Sequence, residues 1–455
     1  MGNVAAAGFA CTFPQELYAR RRAAFLDAIV QERGGQERGG STDAVAVFAA
    51  APVYTRNNDV DHDYRQDSDL FYLTGFAEPD SVLVLTAKDR KATLFVRPRD
   101  KERETWDGLR AGLEGAKSEF GADEAHVIGD LPTVLPKLLE NNARLYYRLG
   151  RDRAFDDKVF AALDRTRARA RMGVSWPVDI CDPSPALHDL RLIKGSEDLQ
   201  AMRAAARITA DAHVRAMAET HPGMREFQVD ALLMETFRRE GSERTAYANI
   251  VGSGENATIL HYRAGNRQVQ DGELVLIDAG CEYGYFASDV TRTFPANGKF
   301  SKEQRAIYEL VLEAQEEGLA ASVTGSTLDG IHEICVEVIT RGLVKLGLLQ
   351  GELPKLIEDG AYKPFYMHRT SHWLGMDVHD VGGYYIGGKA RPLAPGMVLT
   401  VEPGIYIGRD EDRVPAEWRG IGVRIEDDIL VTEQGYENMT ASIPKTVQEV
   451  EAACS

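Results

Sequence analysis

Cysteine is scarce. Cys11, Cys181, Cys281, Cys335 and Cys454 are the only five in 455 residues, odd in number, widely scattered and without a CxxC pair. That excludes a disulfide framework and fits a reducing compartment. Long apolar runs are also missing: no stretch of 18 apolar residues occurs, so no membrane-spanning helix is expected. The N-terminus lacks a basic segment followed by an apolar core, since Arg20, Arg21 and Arg22 come after the only apolar stretch there. Met1-Gly2 opens like a myristoylation signal, but Ala6 stands where Ser or Thr is wanted. Basic residues are in deficit, 53 against 70 acids, for a formal charge of -17. A surface that acidic repels phosphate backbones and anionic lipid, which argues against nucleic acid and membranes as partners. A soluble, cytoplasmic protein is the expectation.

What is present is ordinary globular material, 44% hydrophobic and 27% charged, enough to bury large cores and to exclude wholesale disorder. Up to about residue 180 the chain alternates strand-like and helix-like pieces. Ala44–Ala49, residues 81–85 and residues 92–96 read as neighbouring buried strands. Residues 31–40 repeat Gln-Glu-Arg-Gly-Gly in tandem, and four glycines in ten residues predict a flexible surface loop. Arg165, Arg167, Arg169 and Arg171 read as a solvated helix flank more simply than as an anion site. Asp182-Pro183-Ser184-Pro185 is the best linker candidate. After it come amphipathic helices over about 196–218, from Ser301 with a capping box to Gln304, and over about 327–346. On the last, Ile331, Ile334, Cys335, Val338 and Ile339 mark the buried stripe, which leaves His332 on the polar, solvated side. The domains expected are 1–183 and 184–455.

Two similar phrases follow. Residues 273–280 and 397–404 are each an apolar strand that ends in an acid and turns at glycine, which hints at an internal pseudo-repeat. Acids at strand ends are costly to bury unless something neutralises them. There are four: Asp278, Asp289 at a spacing that suits facing strands of a hairpin, Glu402, and Glu426. His368, His372 and His379 cluster in one segment, and His261 precedes Tyr262. Each has a plainer reading. Asp278 and Glu402 could cap turns, Glu426 could pair with Arg424, and strand-end histidines are often only hydrogen-bonded. Together, four acids and a histidine form a mainly oxygen donor set suited to hard or borderline divalent ions, and four carboxylates balance two such ions.

These residues carry a resemblance. The chain resembles the aminopeptidase P (Xaa-Pro aminopeptidase) family of pita-bread metallopeptidases from about residue 13 to 450. The likeness rests on Tyr64-Arg65-Gln66-Asp67-Ser68-Asp69 through Gly75-Phe76, and on residues 250–256. It continues through Ile277-Asp278-Ala279-Gly280, Asp289-Val290-Thr291-Arg292-Thr293, the 368–379 segment, and Gly420 through Asp428. The resemblance implies an α+β protein: an N-terminal α/β domain, then a pita-bread catalytic domain with a pseudo-twofold repeat and a curved antiparallel sheet. It implies Asp278, Asp289, His372, Glu402 and Glu426 as ligands of two divalent ions, Mn²⁺ foremost, with Co²⁺ or Zn²⁺ possible. His261, His368 and His379 then contact the substrate and the developing oxyanion, Arg424 braces the metal carboxylates, and Trp106 reaches a neighbouring subunit's site in a homo-oligomer, dimer or tetramer. Leu109, where Arg is expected, and Arg369-Thr370, in place of a small Gly-Leu pair, depart from the pattern.

The implied activity is hydrolysis of the N-terminal Xaa-Pro bond of peptides by a hydroxide held between two metals, with Glu402 as general base and acid. Prolidase, restricted to dipeptides, is the alternative, and Trp373 and the Trp106 segment favour the aminopeptidase. A non-catalytic pita-bread peptide-binding module is disfavoured, because such modules typically lose the metal ligands.

Overall fold

The computed structural model describes residues 13–31, 42–263 and 265–455. The N-terminal hexapeptide and nearly all of the tandem Gln-Glu-Arg-Gly-Gly segment lie outside the described residues. The chain forms two compact units, Met1–Leu190 and Arg191–Ser455. The division falls within the helix Ser184–Leu192. Asp182-Pro183-Ser184-Pro185 is therefore a helix start: Asp182 accepts from the Ser184 amide at 2.8 Å, and Pro185 occupies the first turn, where a missing N–H costs nothing. Among the described residues no helix is long and apolar enough to cross a membrane.

The N-terminal unit is an α/β layer structure. Its six-stranded sheet has the spatial order Glu124–Val127, Lys91–Val96, Val82–Thr86, Ala44–Ala49, Arg144–Tyr146, Asp179–Cys181. The inner three strands are antiparallel neighbours, and the outer strands add in parallel on both sides. The strand interior Ala44–Phe48 is continuously apolar and fully buried, without alternation, because helices cover the sheet. Leu135, Leu139, Val159 and Leu163, from the helices Leu131–Leu139 and Arg153–Arg167, pack on Val45, Val84 and Phe95. The Tyr64–Phe76 motif has a structural basis here. Asp67 caps the helix Ser68–Thr74 by accepting from the Leu70 amide, and Gly75 ends it at φ 67°. A Cβ on Gly75 would lie 2.5 Å from the Tyr18 ring.

The C-terminal unit repeats one order twice: two helices, then antiparallel strands. Ser196–Glu219 and Glu226–Arg239 precede the sheet of Ile250–Ser253, Leu274–Asp278 and Thr291–Pro295. Lys302–Ala320 and Leu328–Lys345 precede Val398–Val401, Asp427–Thr432 and Gly435–Asn438, with the pair Gly404–Ile407 and Ile421–Arg424. This is the two-halved arrangement expected. Ser301 and Gln304 form the reciprocal capping box anticipated. The halves are stitched together by the Thr293 hydroxyl, which donates to the Arg424 carbonyl at 3.0 Å and accepts from the Arg424 amide at 3.2 Å. The Glu426 amide donates to the Thr291 carbonyl at 3.1 Å.

Two readings need correction. Asp278 pairs in register with Thr291, not Asp289, because a small two-strand excursion, Cys281–Tyr283 with Phe286–Ala287, is inserted between them. On Leu328–Lys345 the buried stripe includes Val336 at 4% exposure and leaves Ile334 at 36%. His332 is half-buried and bonds through Nδ1 to the Thr370 hydroxyl at 2.8 Å, so it is not simply solvated.

Candidate metal centre

A cavity of about 750 Å³ opens in the C-terminal unit, and all nine site residues expected there line it. Asp278 closes its strand, Glu402 follows Val398–Val401, and Glu426 joins Ile421–Arg424 to Asp427–Thr432, so the strand ends of both halves deliver acids to one point. Trp106 belongs to the N-terminal unit, near the end of the helix Lys101–Asp107, and is 82% exposed.

Asp289, His372 and Glu426 offer ligand atoms all within 4.8 Å of one another. His372 Nε2 lies 3.4 Å from Asp289 Oδ2 and 3.8 Å from Glu402 Oε1. Its Nδ1 donates to the Trp373 carbonyl at 3.0 Å. With that nitrogen committed, Nε2 faces the carboxylates, the arrangement that orients a ligating histidine. The Tyr247 hydroxyl meets Asp278 Oδ1 at 2.6 Å and Asp289 Oδ1 at 2.5 Å. The two carboxylates therefore face each other across a single hydroxyl proton. Glu426 Oε2 accepts from the Thr291 hydroxyl at 2.6 Å.

Burial and mutual repulsion raise the proton affinity of Asp289, Glu402 and Glu426. Burial, only partly offset by His372 and Arg424, pushes Glu402 up to about 8. Burial followed by repulsion from Asp289, Glu402 and Asp278 raises Glu426 well above the carboxylate range. Burial also raises Asp289. Burial opposes charge on His372, yet Asp289 and Glu402 prevail and push it up to about 9. Protons here do what a bound cation would do. The donor set, four hard oxygen ligands and one borderline nitrogen, fits divalent ions.

Arg424 is the cation that is present. Its Nη2 donates to Asp278, its Nη1 to the Tyr406 hydroxyl at 2.8 Å and its Nε to the Thr291 hydroxyl at 3.0 Å. Tyr406 passes its own proton toward His368 Nε2 at 2.9 Å, while His368 Nδ1 donates to the Arg369 carbonyl at 2.8 Å. Burial and the nearby Arg424 bring His368 down to about 4, so it stays neutral. His379 packs edge-on against His372 with ring centroids 4.4 Å apart, and burial, then His372, lowers its affinity for a proton. His261 lies exposed on the cavity wall.

Sequence reasoning assigned no role to Tyr247, Tyr406, Asp428 or Arg292. Asp428 accepts from the Ser288 hydroxyl at 2.7 Å and the Asp289 amide at 3.1 Å, fixing the Asp289 backbone. Arg292, fully buried, donates to the Glu426 carbonyl and to Asp427, each at 2.6 Å. The only signal for these two was their place in the quoted motifs. Tyr247 has none, and Tyr406 has only its nearness to Glu402.

A buried cluster of acids and histidine, held between two halves of one fold, defines a metal-dependent hydrolase. The chain belongs to metallopeptidase family M24, whose model matches residues 200–433. Residues 18–146 match the aminopeptidase P N-terminal domain. The chain is 45% identical over 412 residues to Xaa-Pro aminopeptidase of Escherichia coli (strain K12), covering 90% of this chain and 93% of that one. It is 35% identical over 449 residues to Xaa-Pro aminopeptidase 3 of Homo sapiens, covering 96% and 85%. Among solved structures, Pseudomonas aeruginosa aminopeptidase PepP is similar with a TM-score of 0.93 at 50% identity, covering 97% of this chain and 98% of that one.

Proposed function

We propose that the chain hydrolyses the bond between an N-terminal residue and a following proline, as a metal-dependent aminopeptidase. The observation that carries this is the acid quartet around His372, Asp289 and Glu426 buried and Asp278 and Glu402 partly so; the Nδ1 of His372 is committed to a carbonyl and its Nε2 faces Asp289 and Glu402. Asp278, Asp289, His372, Glu402 and Glu426 would hold two divalent ions, Mn²⁺ foremost, with Co²⁺ or Zn²⁺ as alternatives. When bound, such ions supply Lewis acidity and lower the proton affinity of water. Glu402 takes the proton of the attacking water and passes it to the proline nitrogen as the bond breaks. His379 donates to the developing oxyanion. His261 and His368 position the peptide, the latter fixed by Tyr406 and the Arg369 carbonyl. Arg424 keeps Asp278 in place, where it can meet the free amine of the first residue and limit removal to that residue. Proline's tertiary amide has no N–H, and a site that asks nothing of that proton accepts it.

Two further readings belong here. Exposed Trp106 and Leu109, 82% and 60%, suit a contact with another copy of the chain, so a dimer or tetramer in which Trp106 approaches a neighbouring site is proposed. Few, scattered cysteines suit the cytoplasm.

Metal-loaded protein should release alanine from Ala-Pro-Ala, lose that activity to a chelator and regain it with Mn²⁺. Faster cleavage of Ala-Pro than of Ala-Pro-Ala would move the reading to prolidase. Tight metal binding with no cleavage would move it to a peptide-binding module.

A further inference from the structure

The cavity has a buried end and an exposed end, and the exposed end carries its own construction. Three separate elements meet there through one carboxylate. Asp329, in the first turn of Leu328–Lys345, accepts through Oδ1 from Arg369 Nη2 and through Oδ2 from the Tyr385 hydroxyl at 2.9 Å. Arg369 is on the loop that carries His368 and His372. Tyr385 is on the small pair Tyr385–Ile386 and Lys389–Ala390, whose turn glycines, Gly387 and Gly388, have φ of 57° and 78°. All three side chains line the cavity. The side chain of Arg369 is 59% exposed and that of Asp329 32%, while Tyr385 is 58% exposed, so they form the mouth.

The charge at this mouth runs against that of the whole molecule. The protein carries -17, and four acids line the buried end, yet the mouth presents the guanidinium groups of Arg369 and Arg263. Asp329 keeps its own negative charge and offsets one of these two guanidinium groups, so the mouth is left positive by a single charge. A guanidinium has five N–H donors in a rigid fork, and Asp329 engages Nη2 alone. Asp329 therefore holds Arg369 in place while most of the fork stays available, which lowers the ordering cost of receiving a second carboxylate.

Resting on the aminopeptidase reading, a peptide places its amine at the buried acids, its proline next, and its third residue toward the mouth. We propose that Arg369, braced by Asp329 and Tyr385, is a subsite for a carboxylate on the substrate's third residue. Two sources share this chemistry: the chain-terminal carboxylate of a tripeptide, and the side chain of an acidic third residue.

The test compares Ala-Pro-Ala, Ala-Pro-Ala-amide and Ala-Pro-Glu-amide with the Mn²⁺-loaded full-length protein at low ionic strength. A partly exposed ion pair should favour a carboxylate-bearing peptide over Ala-Pro-Ala-amide by about fivefold in kcat/KM, mainly through KM. The ratio should shrink toward one near 1 M salt. Arg369→Gln should bring it to about one at any salt. Arg369→Lys should keep part of it, because charge survives and the fork does not. Arg263→Gln should leave most of it. A gain for Ala-Pro-Ala alone identifies the terminal carboxylate, and a gain for Ala-Pro-Glu-amide identifies the side chain. A wild-type ratio of one, or a ratio unchanged in Arg369→Gln, overturns the subsite. Protein that binds Mn²⁺ but cleaves none of the three overturns the aminopeptidase reading as well, whereas equal cleavage of all three overturns the subsite alone.

Discussion

His213 gives the sharpest physical test of how the first half of the fold is held. It lies on Ser196–Glu219, is 1% exposed, and donates from Nε2 to the Ala279 carbonyl at 3.1 Å, next to Asp278. Its Nδ1 is buried and meets no hydrogen-bond partner among the described residues. A proton there would bring charge into a site with nothing to receive it. Burial accordingly brings His213 down to about 4, an effect the Ala279 carbonyl only partly offsets. The unfolded value is about 6.5. The folded pKa is the lower one, so the stabilisation is complete above pH 6.5 and is lost as pH falls toward 4. The full difference of about 2.5 units corresponds to about 3 kcal/mol, of which about 2 kcal/mol is gone at pH 5. Urea unfolding of wild type and His213→Gln at pH 8 and pH 5, with chelator present at both, isolates this residue from the other histidines. Glutamine keeps the donor to Ala279 and cannot titrate. The advantage of wild type over the variant should shrink by about 2 kcal/mol between the two pH values. An advantage that is the same at both would refute the account.

Asp289→Ala and Glu402→Ala should each abolish turnover and lower bound metal, measured by elemental analysis, whereas His379→Ala should lower kcat by orders of magnitude with metal content kept. Asp380 supports the loop that carries His372 and His379. Its Oδ1 accepts from Arg191 at 2.6 Å and its Oδ2 from Lys194 at 3.1 Å, with all three side chains at most 2% exposed. Asp380→Asn takes the carboxylate partner from buried Lys194 and leaves Arg191 with Asp377 at 2.9 Å, and should cost about 3 kcal/mol, read as a drop in the urea midpoint.

Local pattern carried the sequence reading a long way. Leu274–Asp278 and Ser196–Glu219 announce themselves by apolar runs and by acidic, capped starts, because such signals depend only on near neighbours. Acids at the ends of two similar strands were legible for the same reason. What escaped depends on distance along the chain. His332 reads as solvated from its helical face, yet its partner Thr370 is 38 residues away. Tyr247 sits in an unremarkable stretch and matters only because Asp278 and Asp289, 31 and 42 residues on, converge on its hydroxyl. The strand excursion between Asp278 and Asp289 follows from backbone pairing rather than from periodicity. Even the prolines at 183 and 185 were misleading, since a helix accepts proline in its first turn.

The stitching of the two halves also has a consequence for how the protein is made. Ser288 and Asp289 wait for Asp428, which lies 140 and 139 residues later in the chain. At ribosomal speeds of about 5–20 residues per second, that wait is on the order of 7–28 s. Through it, Asp278 and Asp289 exist without Arg424, the arginine that later compensates one of them, and without Glu426. The complete ligand pocket therefore cannot be loaded during the synthesis of its own first half. On the proposed ligand set, metal capture becomes one of the last events in the protein's biogenesis, and any nascent chain cut short before residue 426 lacks at least one of the five ligands.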